Sequence, residues 1–359
     1  NETASETEER MELIPGTPEE LGRFLHVNIK LLYRIANHPE EFYKVFRIPK
    51  RNGKFRTIEA PRGILKLTQR CILREILSPL ELHPAATAFR PGRSIKDNAG
   101  LHVGQPVILK LDIENFFPSL HITQVYPLFQ SAGYPRNVAT LLARLCCLEH
   151  RLPQGAPTSP CLSNLILYPV DVAFTEWATD NQCRYTRYAD DMTLSGELEH
   201  STIQAGITMA GRLLRPLGLH LNREKIQIQR QGNRQTVTGL TVNRTVNIPR
   251  RKQRELRQIM YYIDKFGWRD CQRHCNLDFR QLLGYVNFAA SITDNPENTD
   301  GEIRCYDFPV PATVHRQPSD NPTAKEIKTM NFQQPNTTIS TRELRLLIED
   351  HLKTGKGNQ

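Results

Sequence analysis

Residues 184–195 read Arg184-Tyr185-Thr186-Arg187-Tyr188-Ala189-Asp190-Asp191-Met192-Thr193-Leu194-Ser195. Aromatic and β-branched residues on either side of Ala189-Asp190 predict a hairpin over 185–195 with two acids at its tip. Adjacent carboxylates on an apolar hairpin are costly, because each raises the pKa of the other. Such a pair persists where a divalent cation neutralises it. Upstream, Val107-Ile108-Leu109-Lys110-Leu111 is nearly continuous in apolar character and ends on Asp112, as a buried parallel or central strand does. The chain between Asp112 and Asp190 is long enough for the two strands to lie side by side in one sheet. Carboxylates so placed can bridge two Mg²⁺ ions, one lowering the pKa of an attacking sugar hydroxyl and the other steadying a leaving pyrophosphate. Mg²⁺ takes hard oxygen ligands and shares its shell with substrate phosphates, so few protein ligands suffice.

The rest of the composition agrees with a polyanionic partner. The chain has 359 residues, 39% apolar and 24% charged, with a formal net charge of +9. That is ordinary globular usage, with material for a sizeable core. Residues 1–22 hold seven acids and one Arg, whereas 223–257 hold ten Lys or Arg against two Glu. A basic body behind an acidic lead points to nucleic acid or to a plain basic surface. No apolar run approaches the ~18 residues of a membrane span. Eight irregularly spaced cysteines fit a reducing, cytoplasmic setting better than a disulfide framework. The first residue is Asn1, read as a processed or trimmed start without a signal-peptide pattern.

Along the chain, 1–16 is expected to be a disordered acidic lead. Thr17-Pro18-Glu19-Glu20 reads as a capping box, with Leu21, Leu25, Ile29, Leu32 and Ile35 continuing at helical spacing. Strand, turn and strand follow over 45–58 around Asn52-Gly53, then a helix over 64–82 and a loop over 84–100. Helical stretches are expected over 121–150, 160–180 and 201–217, and short strands near 224–230, 236–243 and 245–249. A basic helical segment spans 250–290. Residues 294–340 lack periodicity and read as linker or disorder. Ser340 and Glu343 then open a helix with a Leu344, Leu347, Ile348 and Leu352 stripe that ends at Gly355. Cys271, His274 and Cys275 have no fourth ligand nearby, and packing is the expected role rather than zinc. With no glycine-rich phosphate loop after the first strand, a Rossmann or P-loop reading is poor.

Three segments resemble successive polymerase motifs of reverse transcriptases, in the family's order: Asp112-Ile113-Glu114-Asn115-Phe116-Phe117-Pro118-Ser119, Leu152-Pro153-Gln154-Gly155-Ala156-Pro157-Thr158-Ser159-Pro160, and Tyr188-Ala189-Asp190-Asp191. Asn98-Ala99-Gly100-Leu101-His102 is similar to the Asn-Ala-x-x-His segment of bacterial retron reverse transcriptases, and Val237-Thr238-Gly239 to their Val-Thr-Gly segment. Leu145-Cys146-Cys147 is also typical of them. The resemblance runs from about 20 to 290. It implies an α+β right-hand polymerase. Its expected parts are an N-terminal helix and fingers over 17–105, and a palm over 106–243 (a small antiparallel sheet on helices) with a fingers insertion at about 120–165. A helical, RNA-binding thumb follows over 244–293, and 294–359 is expected to be a linker and amphipathic helix.

By the same resemblance, Asp112, Asp190 and Asp191 bind two Mg²⁺ ions, for which Mn²⁺ is a substitute, with the Ile113 carbonyl as an extra ligand. Lys225 matches the position that protonates pyrophosphate. Phe117 matches a steric gate under the sugar, where an ordinary core role is instead expected of Phe116. Lys54 and Arg56 match cations that hold the triphosphate, for which the fixed fork of Arg is suited. Gln154 and Gly155 match the segment under the incoming nucleotide. Tyr188 is expected below the primer end, and Val237, Thr238 and Gly239 within the primer grip. Arg250, Arg251, Lys252 and Arg254 open the thumb helix, where some contact RNA phosphates and others are solvated. Asn98 and His102 either serve RNA recognition or tie down a loop.

Retron enzymes recognise their own structured noncoding RNA, start DNA from the 2′-hydroxyl of an internal guanosine and leave a branched RNA–DNA hybrid. The resemblance therefore implies a cognate RNA, the hybrid product and dNTPs as partners, an effector protein contacting 294–359, no membrane, and a place in antiphage defence. Two alternatives stay open: another bacterial reverse transcriptase, and an RNA–DNA scaffold that holds an effector.

Overall fold

The computed structural model describes residues 14–50, 53–266 and 279–293. The chain divides into two compact units: residues up to Thr238 with Val242–Thr245, and Gly239–Thr241 with the residues from Val246 onward.

The first unit is organised by a four-stranded sheet in the order β4-β5-β3-β6, formed by Val107–Asp112 (β3), Arg184–Tyr188 (β4), Asp191–Gly196 (β5) and Gln227–Arg230 (β6). Every pairing is antiparallel. The apolar run of β3 places it between β5 and β6, with five of its six residues buried, which is where an unbroken Val/Ile/Leu strand is stable. The expected hairpin over 185–195 is present, with β4 and β5 in register from Arg184–Ser195 to Tyr188–Asp191. A separate hairpin joins Tyr43–Pro49 (β1) to Phe55–Pro61 (β2), from Tyr43 opposite Pro61 to Pro49 opposite Phe55.

Helices cover the four-stranded sheet and supply most of the core. Phe129, Val138, Leu142, Leu162 and Phe174 are all buried in one apolar cluster with Leu109, Leu111, Met192 and Leu194. Phe174 stacks on Trp177 at 5.6 Å and meets the edge of Tyr185 at 4.7 Å between ring centroids. The helix His200–Leu214 lies close against this layer because Gly206 has no side chain. A Cβ there would stand 3.1 Å from Trp177 and 3.2 Å from Leu194.

Several sequence expectations need correction. The apolar spacing over 21–35 does not make one helix: the chain breaks after Pro18–Phe24, passes through His26 at φ +55°, and restarts at Ile29–Asn37 with Asn28 as N-cap. The expected Thr17/Glu20 capping box is present. The stretch 84–100 is not all loop, since Ile95–Gly100 is helical behind a Ser94/Asp97 capping box. The helical stretch 121–150 divides into Ile122–Ser131 and Arg136–Cys146, with Gly133 at φ +92° and Pro135 between them. The expected strand over 245–249 is reduced to one bridge, Thr241 to Asn247.

The second unit contains the helices Arg250–Phe266 and Phe279–Thr293. Leu256, Leu282, Val286 and Ile292 are buried within it, and the Lys252 ammonium lies 5.9 Å from the centre of the Phe288 ring. The Cys271/His274/Cys275 cluster, the acidic lead before residue 14, and the linker and helix over 294–359 lie outside the described residues. Among the described residues no helix is long and apolar enough to cross a membrane.

Candidate active site

The sheet register brings the acids together. Asp112, the last residue of β3, is the direct cross-strand partner of Asp191, the first residue of β5. Asp190 precedes it in the turn, and its carbonyl accepts a 2.9 Å hydrogen bond from the Ile113 N–H. Ala189 makes the turn possible by adopting φ +57°, a conformation that costs a non-glycine residue about 1 kcal/mol or more. Lys225, in the turn Arg223–Lys225 before β6, donates from Nζ to both Asp112 oxygens at 2.7 and 2.9 Å.

The electrostatics are those of crowded anions around one ammonium group. Burial and the neighbouring Asp191 charge push the Asp190 carboxyl up to about 6. Asp191 is also raised, chiefly by burial, against the pull of Lys110. The hydrogen bond to Asp112 holds Lys225 above its ordinary value, so it stays charged at neutral pH. A divalent cation would relieve this repulsion, and the oxygen-only donor set suits a hard metal. Among the described residues no three His, Cys, Asp or Glu side chains converge closely enough to enclose an ion by themselves. A bound divalent ion would share its shell with substrate phosphates and water, as Mg²⁺ usually does in nucleotide sites.

Around the acids, Phe116 and Phe117 begin a short helical turn after Asn115 at φ +47°. Phe116 is buried; Phe117 is half-buried, with its ring 5.2 Å from Phe116 and 6.2 Å from the exposed Phe89. Tyr188, half-buried, ends β4 opposite Asp191. Gln154 accepts a 2.9 Å bond through its carbonyl from the Glu59 N–H of β2. Gly155, at φ +136°, has to be glycine, since a Cβ there would lie 2.9 Å from the Glu59 carbonyl oxygen. Lys54 and Arg56 are exposed, one just before β2 and the other within it.

Thr238 of the Val-Thr-Gly segment is bonded to the start of the helix Ile95–Gly100, which carries Asn98. The Thr238 hydroxyl donates to the Ile95 carbonyl at 3.1 Å, and Val237 is buried. Thr238 at φ +47° and Gly239 at φ +82° make the turn. Asn98 and His102 face inward rather than toward a ligand. Asn98 Oδ1 accepts from the Thr87 hydroxyl at 2.8 Å. The His102 ring is 2.7 Å from both Ser195 on β5 and Thr186 on β4. Both side chains are buried and make these bonds inside the protein. Burial drives the His102 pKa down to about 3, so the ring is neutral. Arg250, Arg251, Lys252 and Arg254 are exposed at the start of Arg250–Phe266, with Arg251 paired to Glu255 at 3.0 Å.

Two ion pairs, one partly and one fully buried, escaped the sequence reading. Arg151 forks onto Glu59 at 2.8 and 2.7 Å, tying β2 to the strand-like turn before Gln154. Arg187, fully buried, forks onto Asp171 at 2.8 and 2.5 Å.

Clustered strand-borne carboxylates with a lysine on one of them suit an enzyme that transfers nucleotidyl groups. The family model for reverse transcriptase (RNA-dependent DNA polymerase) matches residues 48–257. The chain is 36% identical to the Retron Mx65 reverse transcriptase of Myxococcus xanthus over 307 residues, covering 79% of this chain and 70% of that protein. It is 33% identical to the Retron Ec86 reverse transcriptase of Escherichia coli over 276 residues, covering 76% and 83%. A solved telomerase from Candida albicans, in complex with a fragment of telomeric RNA, superposes with a TM-score of 0.45 at 12% identity, over 69% of this chain and 55% of that one. The chain belongs to the reverse transcriptases, as RNA-directed DNA polymerases, and within them to the retron reverse transcriptases.

Proposed function

We propose that this enzyme copies part of its own noncoding RNA into branched single-stranded DNA, primed from a guanosine 2′-hydroxyl, as part of an antiphage defence system. The observation that carries the proposal is the Asp112–Asp191 register with Lys225 on Asp112, in a chain where Thr238 of the Val-Thr-Gly segment bonds Ile95, at the start of the helix that carries Asn98.

In this reading Asp112, Asp190 and Asp191 hold two Mg²⁺ ions, with Mn²⁺ as a substitute and the Ile113 carbonyl as a further ligand. When bound, the metals would lower the pKa of the attacking hydroxyl and offset charge on the leaving pyrophosphate. The hydroxyl gives its proton to water as its oxygen attacks the α-phosphorus, the bond to the bridging oxygen breaks, and pyrophosphate leaves with a proton from Lys225, which is reprotonated from solvent. Lys54 and Arg56 bind the triphosphate, Gln154 and Gly155 line the nucleotide, and Phe117 excludes a 2′-hydroxyl. Tyr188 supports the primer end, with Val237, Thr238 and Gly239 as its grip. Arg250, Arg251, Lys252 and Arg254 contact RNA phosphates, which gives salt-dependent affinity. Fingers, palm and thumb then correspond to 17–105 with 120–165, to the rest of 106–243, and to 244–293. An effector protein is assigned to 294–359, and its capture should be lost on deleting 335–359 while DNA synthesis continues.

The test is the nucleic acid that co-purifies with the protein from its native host. Wild type should carry short DNA joined to RNA through a 2′–5′ branch, absent from Asp190→Asn/Asp191→Asn. Linear DNA without a branch would refute the priming reading, and RNA alone in both samples would refute synthesis.

A further inference from the structure

The turn that carries Asp190 and Asp191 is held from behind by a charge network that the chemistry above does not use. Arg187 lies on β4, three residues before Asp190, and its side chain is fully buried. Its Nε and Nη2 donate to Asp171 Oδ1 and Oδ2 at 2.8 and 2.5 Å. Its third nitrogen, Nη1, donates at 3.1 Å to Asn164 Oδ1 and at 3.1 Å to the Ala189 carbonyl. Asp171 also accepts from the Tyr185 hydroxyl at 2.9 Å, and Asn164 donates to the Ala88 carbonyl at 2.9 Å. The Arg187 backbone is fixed too: its N–H donates to Ala85 at 2.7 Å, and its carbonyl accepts from the Thr87 N–H at 2.9 Å.

An ion pair this deep is poorly explained as a stabilising device, because desolvation offsets much of the attraction and an apolar pair often serves as well. Its geometry suits another purpose. Ala189, at φ +57°, is the strained residue of the turn, and such a conformation persists only where its surroundings fix it. The Arg187 guanidinium binds the Ala189 carbonyl from one side of the turn, and the Ile113 N–H binds the next carbonyl, that of Asp190. Rigid packing against Asp171 and Asn164 leaves the fork one orientation, so the Ala189 oxygen is held at a fixed point.

We propose that Arg187 is a positioning residue for the reaction: with Asp171 and Asn164 it fixes the Ala189 turn so that the Asp190 and Asp191 carboxylates point where metal and nucleotide require. This rests on the reading of those acids as the reaction centre. Lysine can keep a charge on Asp171, but as a point ammonium without a planar fork it cannot hold Asp171, Asn164 and Ala189 together.

Arg187→Lys is therefore expected to keep its melting temperature within a few degrees and to extend a primed RNA template ~10- to 100-fold more slowly at saturating dNTP, the scale of an ångström-sized misplacement. The dNTP KM and RNA affinity should stay within about threefold. Amide exchange at Ile113 should accelerate while that at Leu109, in mid-strand, does not. If Arg187→Lys does not fold, Tyr185→Phe/Asp171→Leu/Arg187→Met removes the whole network as apolar residues, and the same slow rate is expected of it. A folded variant of either kind with the wild-type rate overturns the proposal, as does a loss that lies in KM or in RNA affinity. Asp190→Asn is run beside them: if it extends at the wild-type rate, the reading of the reaction centre is what has failed. If it is inactive while Arg187→Lys matches wild type, only the positioning role has failed.

Discussion

The Asp190 turn and the β1–β2 hairpin are both two-stranded tips in the first unit, yet they are built in opposite ways. The Asp190 turn is braced on every side: β5 against β3, Arg187 beneath Ala189, His102 across Thr186 and Ser195. The β1–β2 hairpin is buried only at its base, through Tyr43, Glu59 and Pro61. Its far end carries exposed Ile48 and Phe55 beside exposed Lys54 and Arg56. Reacting groups need fixed geometry, whereas groups that gather a mobile anion need reach and charge. The contrast predicts that changes at the braced tip act on the chemical rate, and that changes at the open hairpin act on substrate binding.

The largest expected effect is at the braced tip. Asp112→Asn removes a carboxylate and the partner of Lys225, and primer extension should fall by roughly a thousandfold or more, about 4 kcal/mol of barrier. RNA affinity measured by filter binding should stay near wild type. Next comes the base of the open hairpin, where Glu59 meets Arg151 and Gly155. Gly155→Ala puts a Cβ 2.9 Å from the Glu59 carbonyl at φ +136°, so a loss of about 1–3 kcal/mol in thermal stability is expected, with weaker dNTP binding. Glu59→Gln leaves Arg151 only the Glu149 carboxylate, at 3.0 Å, among its described acid partners. Because Arg151 is partly exposed, the stability loss should be smaller than the 3–5 kcal/mol typical of a fully buried pair, at about 1–2 kcal/mol.

The smallest effect at neutral pH, and the sharpest in its dependence, concerns His102. Its folded pKa of about 3 lies below the ordinary 6.5, so its contribution is complete above pH 6.5 and is lost as pH falls toward 3. Denaturation midpoints of His102→Gln should therefore converge on wild type as pH drops through that window. Parallel curves would show that His102 does not brace the hairpin in this way.

Much of the braced region could be read from sequence, and much of its bracing could not. The apolar run ending at Asp112 and the alternation around Ala189-Asp190 announce two strands, and their acids do meet. The Ser94/Asp97 capping box was equally legible and went unread, because the surrounding Pro and Gly suggested only loop. The break at His26 was not legible, since Leu25 and Ile29 keep helical spacing across it. Arg187, Asp171, Glu59 and Arg151 looked like ordinary surface charges. Only tertiary packing decides which charged residues become buried pairs, and no local pattern reports a partner some sixteen or ninety residues away. Asn98 and His102, for which two roles stay open from sequence, are buried and bonded internally, and that burial too is a tertiary fact.

The most direct test of the contrast is single-nucleotide incorporation by the purified protein on a primed RNA template, with Asp190→Asn and Arg56→Ala compared across a dNTP titration. The account predicts that Asp190→Asn abolishes the rate at saturation without changing RNA affinity. Arg56→Ala should reach nearly the wild-type rate but require about tenfold more dNTP. An Asp190→Asn enzyme that incorporates at the wild-type rate would contradict it.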